Sequence, residues 1–548
     1  MKTRLGGRFL ILMLPVLSLL GGCRSSPPLD LIIRGGMVLD GTGNPWFRAD
    51  VGVHGARIVA LGDLQGLKAG STLEARGLVV CPGFVDLHTH CDRDMEDLPG
   101  ADNYLSQGVT TVIGGNCGDH PYPLEGLLRS LQRKGIGPNL GFLAGHNTIR
   151  QKVMGFVGRP PTGQEMSRMK QVLEGEMKAG ALGLSTGLSY LPGIYADTEE
   201  LVELASVAAR WGGIYATHLR DQGQKIREAV EEAILIGQRA GLPVQISHIK
   251  LADEAVWGRL ELVRQPVEAA RRQGLEVSLD IYPYTATSSG FTSSFPAWVF
   301  EGGPQKFQER IKDPAVLERV RQHIIRRRLT SVRGTNTLRA IFLAHCRKFP
   351  QYQGLNLESI LRQRGWPLTV ESAADLIIDL EKNGGASGIF FQMDEADVEG
   401  FLGWPWVMIA SDGGLQKIGQ GRPHPRSYGT FPRVIARYVR ERGILSLSEA
   451  VRKMTSYPAQ VLRLADRGLI ITGLAADLVV FDPQAFADTA TFEAPHSFSQ
   501  GLTAVLVNGQ VVWENGRPTG RRPGRILFGR GKGRRDGRVA VQPAPSSF

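Results

Sequence analysis

Six residues, spread over more than three hundred positions, could together do chemistry. His88 and His90 flank one threonine, and Cys117, His218, His248 and Asp412 each follow a short apolar or β-branched run. In an extended chain residues i and i+2 point the same way, so the imidazoles of His88 and His90 can reach one ion. Four imidazoles, a thiolate and a carboxylate are soft and borderline donors, a set suited to Zn2+. A single histidine is more often structural. The joint placement of four of the 11 histidines behind similar runs is what points to a metal centre.

Residues so far apart in sequence meet only if the fold returns to one place repeatedly. Eight runs between residues 78 and 414 end in polar or glycine-rich sequence: 78–86, 110–113, 139–144, 181–184, 213–216, 243–246, 276–280 and 407–410. Helical periodicity fills several of the gaps, at 198–211, 222–240 and 259–273. Near-continuous apolar strands alternating with helices predict a parallel sheet covered on both faces. An open doubly wound sheet is one solution. A closed (β/α)8 TIM-like barrel is the better one, because a ring brings the reactive strand ends to one mouth.

Hairpin-like sequence flanks this body on both sides, including the Asn508-Gly509 turn, and predicts a small β-sandwich built from both chain ends. The expected division is a leader at 1–22, β-sandwich at 23–79 and 461–527, barrel at 80–460, and a basic disordered tail at 528–548. The connection from about 285 to 392 is far longer than a strand-to-helix link and contains helical stretches at 314–328 and 373–381, so it predicts a lid subdomain over the barrel mouth.

The motifs themselves carry a resemblance. Pro82-Gly-Phe-Val-Asp86-Leu-His88-Thr-His90 and Ser411-Asp412-Gly413 resemble the metal-dependent amidohydrolase superfamily. Gly114-Gly-Asn-Cys117-Gly, Gly145-His-Asn-Thr-Ile-Arg150, Ser185-Thr-Gly-Leu-Ser-Tyr190, His218-Leu-Arg220, Ser247-His248-Ile-Lys250 and His424-Pro-Arg426 narrow it to the D-aminoacylases, the N-acyl-D-amino-acid deacylases. The resemblance spans roughly residues 29–527. It implies zinc-dependent hydrolysis of the amide of an N-acyl-D-amino acid, giving a carboxylic acid and a free D-amino acid. It also implies that Cys117, His218 and His248 hold a tight zinc, and that His88 and His90, with Cys117 bridging, form a weaker second site. Asp412 would be the general base that becomes a general acid. Lys250, Arg426, Tyr190 and Tyr282 would bind the substrate, and Met393 would line its pocket. Ile249 stands where relatives commonly have a second histidine, and its presence removes no assigned ligand.

Two other readings remain open on sequence. One is a cyclic-amide hydrolase of hydantoinase or dihydroorotase type, or a dipeptidase acting on D-residues; the combination of Cys117 with His-Pro-Arg426 argues against it. The other is a lipid-anchored binding protein on an inactive hydrolase fold, which the presence of Asp412 beside all five ligands argues against.

Composition restricts partners and location. The 548 residues, 42% hydrophobic and 21% charged, exclude a disordered or fibrous chain. The formal charge of +11 lies entirely at the ends: three units in Lys2, Arg4 and Arg8, and eight net in residues 517–538. Residues 9–516 sum to zero, so no nucleic-acid partner is expected. A basic start and an apolar run, Phe9 to Leu20, lead into Leu20-Gly21-Gly22-Cys23. Twelve residues rise roughly 18 Å as a helix, short of a ~30 Å bilayer core. The pattern looks like a bacterial lipoprotein signal with Cys23 as the lipidated residue, and an ordinary secretory signal is the alternative. Arg24 favours the outer membrane, facing the periplasm. Four further cysteines could form two disulfides in an exported chain, although Cys117 has the better use as a ligand.

Overall fold

The computed structural model describes residues 28–532; the leader and Cys23 lie outside the described residues. Eight parallel strands form the barrel: β1 (Phe84–Asp86), β2 (Val109–Gly114), β3 (Asn139–Phe142, continued by Ala144–Gly145), β4 (Gly183–Gly187), β5 (Ile214–His218), β6 (Val244–Ile246), β7 (Val277–Ile281) and β8 (Val407–Ile409). The ring closes just beyond the strands. Gly413 pairs in parallel with Thr89, and the Asp412 amide donates to the His88 carbonyl at 2.9 Å. The buried Asp86 carboxylate draws the same seam together, accepting from the Ser411 amide at 3.0 Å and the His88 amide at 3.3 Å. The structure thus has the closed barrel and not the open sheet.

Helices cover the ring where periodicity places them, at Thr198–Arg210, Ile226–Ala240 and Glu261–Arg272. Caps set their starts. The Asp197 side chain accepts from the Glu200 amide, and Thr162 and Glu165 form a reciprocal capping box before Gly163–Ala179. Residues 222–225, expected to be helical, form a turn instead. The Asp221 carboxylate accepts from the Gly223 and Lys225 amides and competes with helix formation there. That turn leaves Gln222 facing the barrel mouth.

The run at 78–86 is two strands. Val79–Pro82 belongs to the small domain, and only Phe84–Asp86 belongs to the barrel. Gly83 joins them, where a Cβ would stand 2.1 Å from Thr110 Oγ1, so no larger residue fits without movement. The small β-sandwich domain hydrogen-bonds as one nine-stranded order drawn from both chain ends, joined by antiparallel pairing of Val79–Pro82 with Leu478–Phe481. Alternation along these strands sends Val80, Leu478 and Val480 into the domain's own core and Val79, Val479 and Phe481 toward the barrel. Asn508 and Gly509, at φ of 47° and 79°, make the expected two-residue hairpin turn.

The long connection is a separately cored unit. Antiparallel strands Ala286–Gly290, Ile341–His345 and Ser387–Phe391 pack with the helix Val370–Lys382 around Phe291, Leu343, Leu376 and Phe390. Its two ends are tied together where the Met393 amide donates to the Thr285 carbonyl. The expected tail does not begin at residue 528. The Leu140 amide of β3 donates to the Arg525 carbonyl at 2.9 Å, the Leu527 amide donates to the Leu140 carbonyl at 2.8 Å, and the Gly529 amide donates to the Gly180 carbonyl at 2.9 Å. Residues 533–548 lie outside the described residues. Cys81, Cys91, Cys117 and Cys346 are not disulfide-bonded, so the disulfide alternative does not hold for the described cysteines.

A polar cluster fastens the small domain to the barrel. Buried Asp477 accepts from Asn139 of β3 at 2.9 Å and from the Asn508 amide at 2.7 Å, and pairs with Arg467. Asp477→Ala leaves Arg467 buried with only Asp466 beside it. The expected loss is roughly 3–5 kcal/mol of unfolding free energy, read by urea denaturation; a loss under ~1 kcal/mol would remove the cluster from this role.

Candidate metal centre

Each ligand stands at a C-terminal strand end. His88 and His90 follow β1, Cys117 follows β2, His218 ends β5, His248 follows β6 and Asp412 follows β8. Three of these positions have left-handed backbone: Cys117 at φ 54°, His248 at 36° and Asp412 at 49°. For residues with side chains this conformation is strained, and here it turns three side chains inward at once.

The donors converge on the Cys117 thiolate. Its Sγ lies 3.4 Å from His88 Nε2, 3.5 Å from His248 Nε2 and 3.9 Å from His218 Nδ1. His218 Nδ1 and His248 Nε2 are 2.8 Å apart. Three overlapping triads (His88, His90 and Cys117; Cys117, His218 and His248; His88, His248 and Asp412) each bring their ligand atoms within 4.8 Å of one another. Donors bound at 2.0–2.3 Å around a tetrahedral ion stand about 3.3–3.6 Å apart, so the sulfur-to-nitrogen distances fit a zinc ion and the nitrogen pair is slightly compressed.

The other nitrogen of each inward imidazole is held in place. His218 Nε2 is 2.7 Å from Ser189 Oγ, His88 Nδ1 is 3.4 Å from Asp280 Oδ2, and His248 Nδ1 is 3.1 Å from Gln222 Nε2 and 3.0 Å from Lys250 Nζ. Such partners fix the orientation of ligating rings. Asp280, Ser189 and Gln222 were not among the sequence candidates. Asp280 sits inside β7 with an inward side chain, and its signal is a single charge in the buried strand Val-Ser-Leu-Asp-Ile. Ser189 and Gln222 carry none.

Electrostatics sorts the ligands. Burial alone would raise the Cys117 thiol, but the charge of His88, with hydrogen bonding to His218 and His248, outweighs it and holds it well below the ordinary cysteine range. Burial and the Lys250 ammonium push His248 down to about 3, and burial also lowers His218, so both rings are neutral. For His88 and His90 burial is overcome: Asp280 and Cys117 raise the first, and Asp412 and Cys117 bring the second up to about 9. A metal joining His88 and His90 would have to displace their protons.

Asp412 faces this cluster with both oxygens engaged. Oδ1 lies 3.1 Å from His90 Nε2 and 3.6 Å from His88 Nε2, and Oδ2 pairs with Arg426 Nη1 at 2.8 Å. Burial would raise its pKa, but Arg426 and the imidazoles hold it well below the usual carboxylate range. Arg426, expected as a substrate clamp, therefore also balances Asp412, and it lies over the Tyr282 ring at 4.7 Å. Lys250, brought down to about 8 by burial, lies over the same ring at 5.4 Å. Tyr190 packs on His218 with ring centroids 4.4 Å apart. A cleft of about 1070 Å³ and an adjoining one of about 300 Å³ meet here, sharing Tyr190 and Asp412. Met393 corrects an expectation: it lies behind Tyr282, whose hydroxyl approaches its Sδ at 3.8 Å, and it lines neither cleft.

The profile of the Amidohydrolase family matches residues 71–513. A D-aminoacylase of Alcaligenes xylosoxydans xylosoxydans is 37% identical over 525 residues, covering 92% of this chain and 98% of that one. An N-acyl-D-glutamate deacylase of the same organism is 36% identical, covering 94% and 98%. The crystal structure of N-acyl-D-glutamate deacylase from Bordetella bronchiseptica, complexed with zinc and a phosphonate mimic of the tetrahedral intermediate, superposes with a TM-score of 0.78 at 34% identity, covering 91% of this chain and 100% of that one.

The ligand geometry sets a direct test. Cys117→Ala is expected to lose nearly all zinc on dialysis, whereas His90→Ala keeps about one equivalent per chain, read by plasma emission. Equal loss in both variants would mean that the two sites are not separable.

Proposed function

The chain belongs to the amidohydrolase family, and from that premise we propose that it is a zinc-dependent deacylase, hydrolysing the amide bond of N-acyl-D-amino acids. The observation that carries the reading is Asp412, placed within 3.6 Å of two ligand imidazoles and held as a carboxylate at the mouth of the substrate cleft. The relatives, matched nearly end to end, support the amide and the D-configuration.

Cys117, His218 and His248 would hold the zinc, which would supply there a Lewis acid to polarise the scissile carbonyl and acidify water. The chain's own residues do the rest. Asp412 accepts the proton as the water oxygen bonds to the carbonyl carbon, then delivers it to the nitrogen as the carbon–nitrogen bond breaks. Arg426 keeps Asp412 ionised until then. Burial holds the Tyr190 and Tyr282 phenols well above their ordinary range, so both stay protonated and can donate to the substrate. The Lys250 ammonium and the outward face of the Arg426 guanidinium attract its α-carboxylate.

We further propose that the enzyme is lipid-anchored through Cys23, at the outer membrane facing the periplasm. The support is the residue pattern: basic residues before an apolar run, then Leu20-Gly21-Gly22-Cys23-Arg24.

Two experiments test these readings. Asp412→Asn is expected to lower kcat by about 10²–10⁴-fold on N-acetyl-D-amino acids while zinc content is kept; full activity in that variant, or no release of amino acid from any member of an N-acetyl-D-amino-acid panel by the zinc-loaded wild type, overturns the catalytic reading. Cys23→Ser is expected to move the protein from the membrane to the soluble fraction, and unchanged membrane partition would overturn the anchor.

A further inference from the structure

The run 517–532 carries six cations, Arg517, Arg521, Arg522, Arg525, Arg530 and Lys532, and no acid. All six residues are exposed. The chain that bears them is fixed in place: the Gly524 amide donates to the Ile136 carbonyl at 2.8 Å, the bonds to Leu140 and Gly180 follow, and Ile526 is buried. Elsewhere on the surface cations find acids, as Lys178 finds Glu174 at 2.8 Å and Arg264 finds Glu268 at 2.7 Å. Among the described residues none of these six pairs with a carboxylate. Asp97 and Asp102 share a surface hollow with Arg521 and Arg522, but Asp97 pairs with Lys417 at 3.5 Å and Asp102 makes no ion pair among the described residues. Phe528 stands within the run, 37% exposed, and Lys532 Nζ lies 5.0 Å from its ring centroid.

Two features of the fold give this row of charges a direction. First, it crosses the barrel where β3 begins, at Leu140, and passes Gly180 just before β4. Those are the N-terminal strand ends, on the side away from the mouth where the metal ligands stand. Second, it lies on the side where the chain leaves for Cys23. Leu29 opens the first strand of the small domain, and beside it the Gly55 amide donates to Asp30 Oδ2 at 2.6 Å. Gly55 packs on the hairpin turn, where a Cβ on Gly509 would stand 2.0 Å from the Gly55 carbonyl oxygen. In the same turn Asn508 Nδ2 donates to the Pro523 carbonyl at 2.9 Å, at the start of the basic row. Leu29 is six positions from Cys23, a reach of at most about 20 Å.

We propose that this row is a docking surface for the anionic phospholipid headgroups of the bilayer that holds Cys23, so that the barrel sits with its strand-start side on the membrane and its catalytic mouth turned away. The proposal rests on the lipid-anchor reading. A lipid anchor fixes one point and leaves the protein free to swing, whereas a polybasic surface adds attraction to anionic headgroups and sets an orientation. An aromatic ring among cations suits the headgroup layer.

The test uses the zinc-loaded protein from residue 23 onward, unlipidated, sedimented with vesicles of phosphatidylcholine alone or with about 30% phosphatidylglycerol. The wild type is expected to bind the anionic vesicles about tenfold to hundredfold more tightly, and to lose that preference at about 0.5 M salt. Arg522→Gln, Arg525→Gln and Arg530→Gln together should lower anionic-vesicle binding about tenfold or more at unchanged zinc content. The corresponding three lysine substitutions should keep it, and they serve if the glutamine variant does not fold. Equal binding to both vesicles, unchanged binding in the glutamine variant, or loss of binding on removing residues 533–548 alone overturns the proposal. Preference for a soluble polyanion such as RNA, without preference for anionic vesicles, overturns it as well. Orientation is read in the lipidated full chain on the anionic vesicles. A bimane at Arg530→Cys should be quenched by lipid with a nitroxide headgroup and one at Gln224→Cys, beside the mouth, should not; the reverse pattern overturns the orientation. Strip-dependent vesicle binding by a protein whose Cys23 carries no lipid would sink the anchor and keep the surface. Lipidated Cys23 on a protein indifferent to headgroup charge would keep the anchor and sink the surface.

Discussion

The Cys117 thiolate carries a negative charge in the protein interior, and most of the site is arranged around that fact. A buried anion is tolerated only when neighbouring dipoles and cations replace water. Three imidazoles do so, and each is itself aimed by a partner on its far nitrogen: Asp280 for His88, Ser189 for His218, Gln222 and Lys250 for His248. These groups come from strands β1, β2, β4, β5, β6 and β7 or the loops just past them. A closed barrel is the simplest way to hold so many strand ends within a few ångströms. The arrangement is also strained. Left-handed backbone at Cys117, His248 and Asp412 costs on the order of 1–3 kcal/mol each. The surrounding bonds enforce it: the His248 amide donates to Asp280 Oδ1 at 2.9 Å, and the Asp412 amide to the His88 carbonyl at 2.9 Å. Asp280 thus holds both the ring of His88 and the backbone of His248.

The parts of this fold that were legible in the sequence are those governed by short-range pattern. Apolar runs ending in polar residues marked all eight barrel strands, because a strand buried on both faces must be apolar until it reaches the mouth. His88, His90, Cys117, His218, His248 and Asp412 were visible for the same reason, as reactive side chains at those ends. What could not be read depends on tertiary geometry. The 78–86 run looks continuous because both of its halves are buried, one in the small domain and one in the barrel; only the contact of Gly83 with Thr110 separates them. Left-handed backbone at a cysteine, a histidine and an aspartate has no compositional marker, since glycine is the residue that advertises it. Gln222 was hidden inside a helical pattern that Asp221 interrupts. Met393 was misplaced because a buried residue beside a site and one lining it look alike in sequence.

Net charge gives little guide to what such a site can hold. Residues 9–516 are formally neutral, yet the cavity contains several cations whose surroundings differ. Lys250 and Arg426 lie close to the metal ligands and to Asp412, so their fields are shared with the reaction. Arg328, in the turn Ile325–Leu329 of the insertion, donates to oxygens of Ser293, Ser294 and Gln392 and lies over the Phe390 ring, on a unit with its own hydrophobic core. Because that core is distinct from the barrel's, side chains on the insertion can vary without disturbing the packing that aims the ligands. The division has a physical basis. Bond breaking demands sub-ångström placement, which the closed ring supplies through backbone hydrogen bonds at every strand. Recognition of a side chain demands only that one group of the right charge and shape reach the cavity, and a separately packed insertion, tied at its base by Met393 and Thr285, can present it. Selectivity can therefore differ between chains that share the same metal-binding strand ends, and the place to look for it is on the insertion.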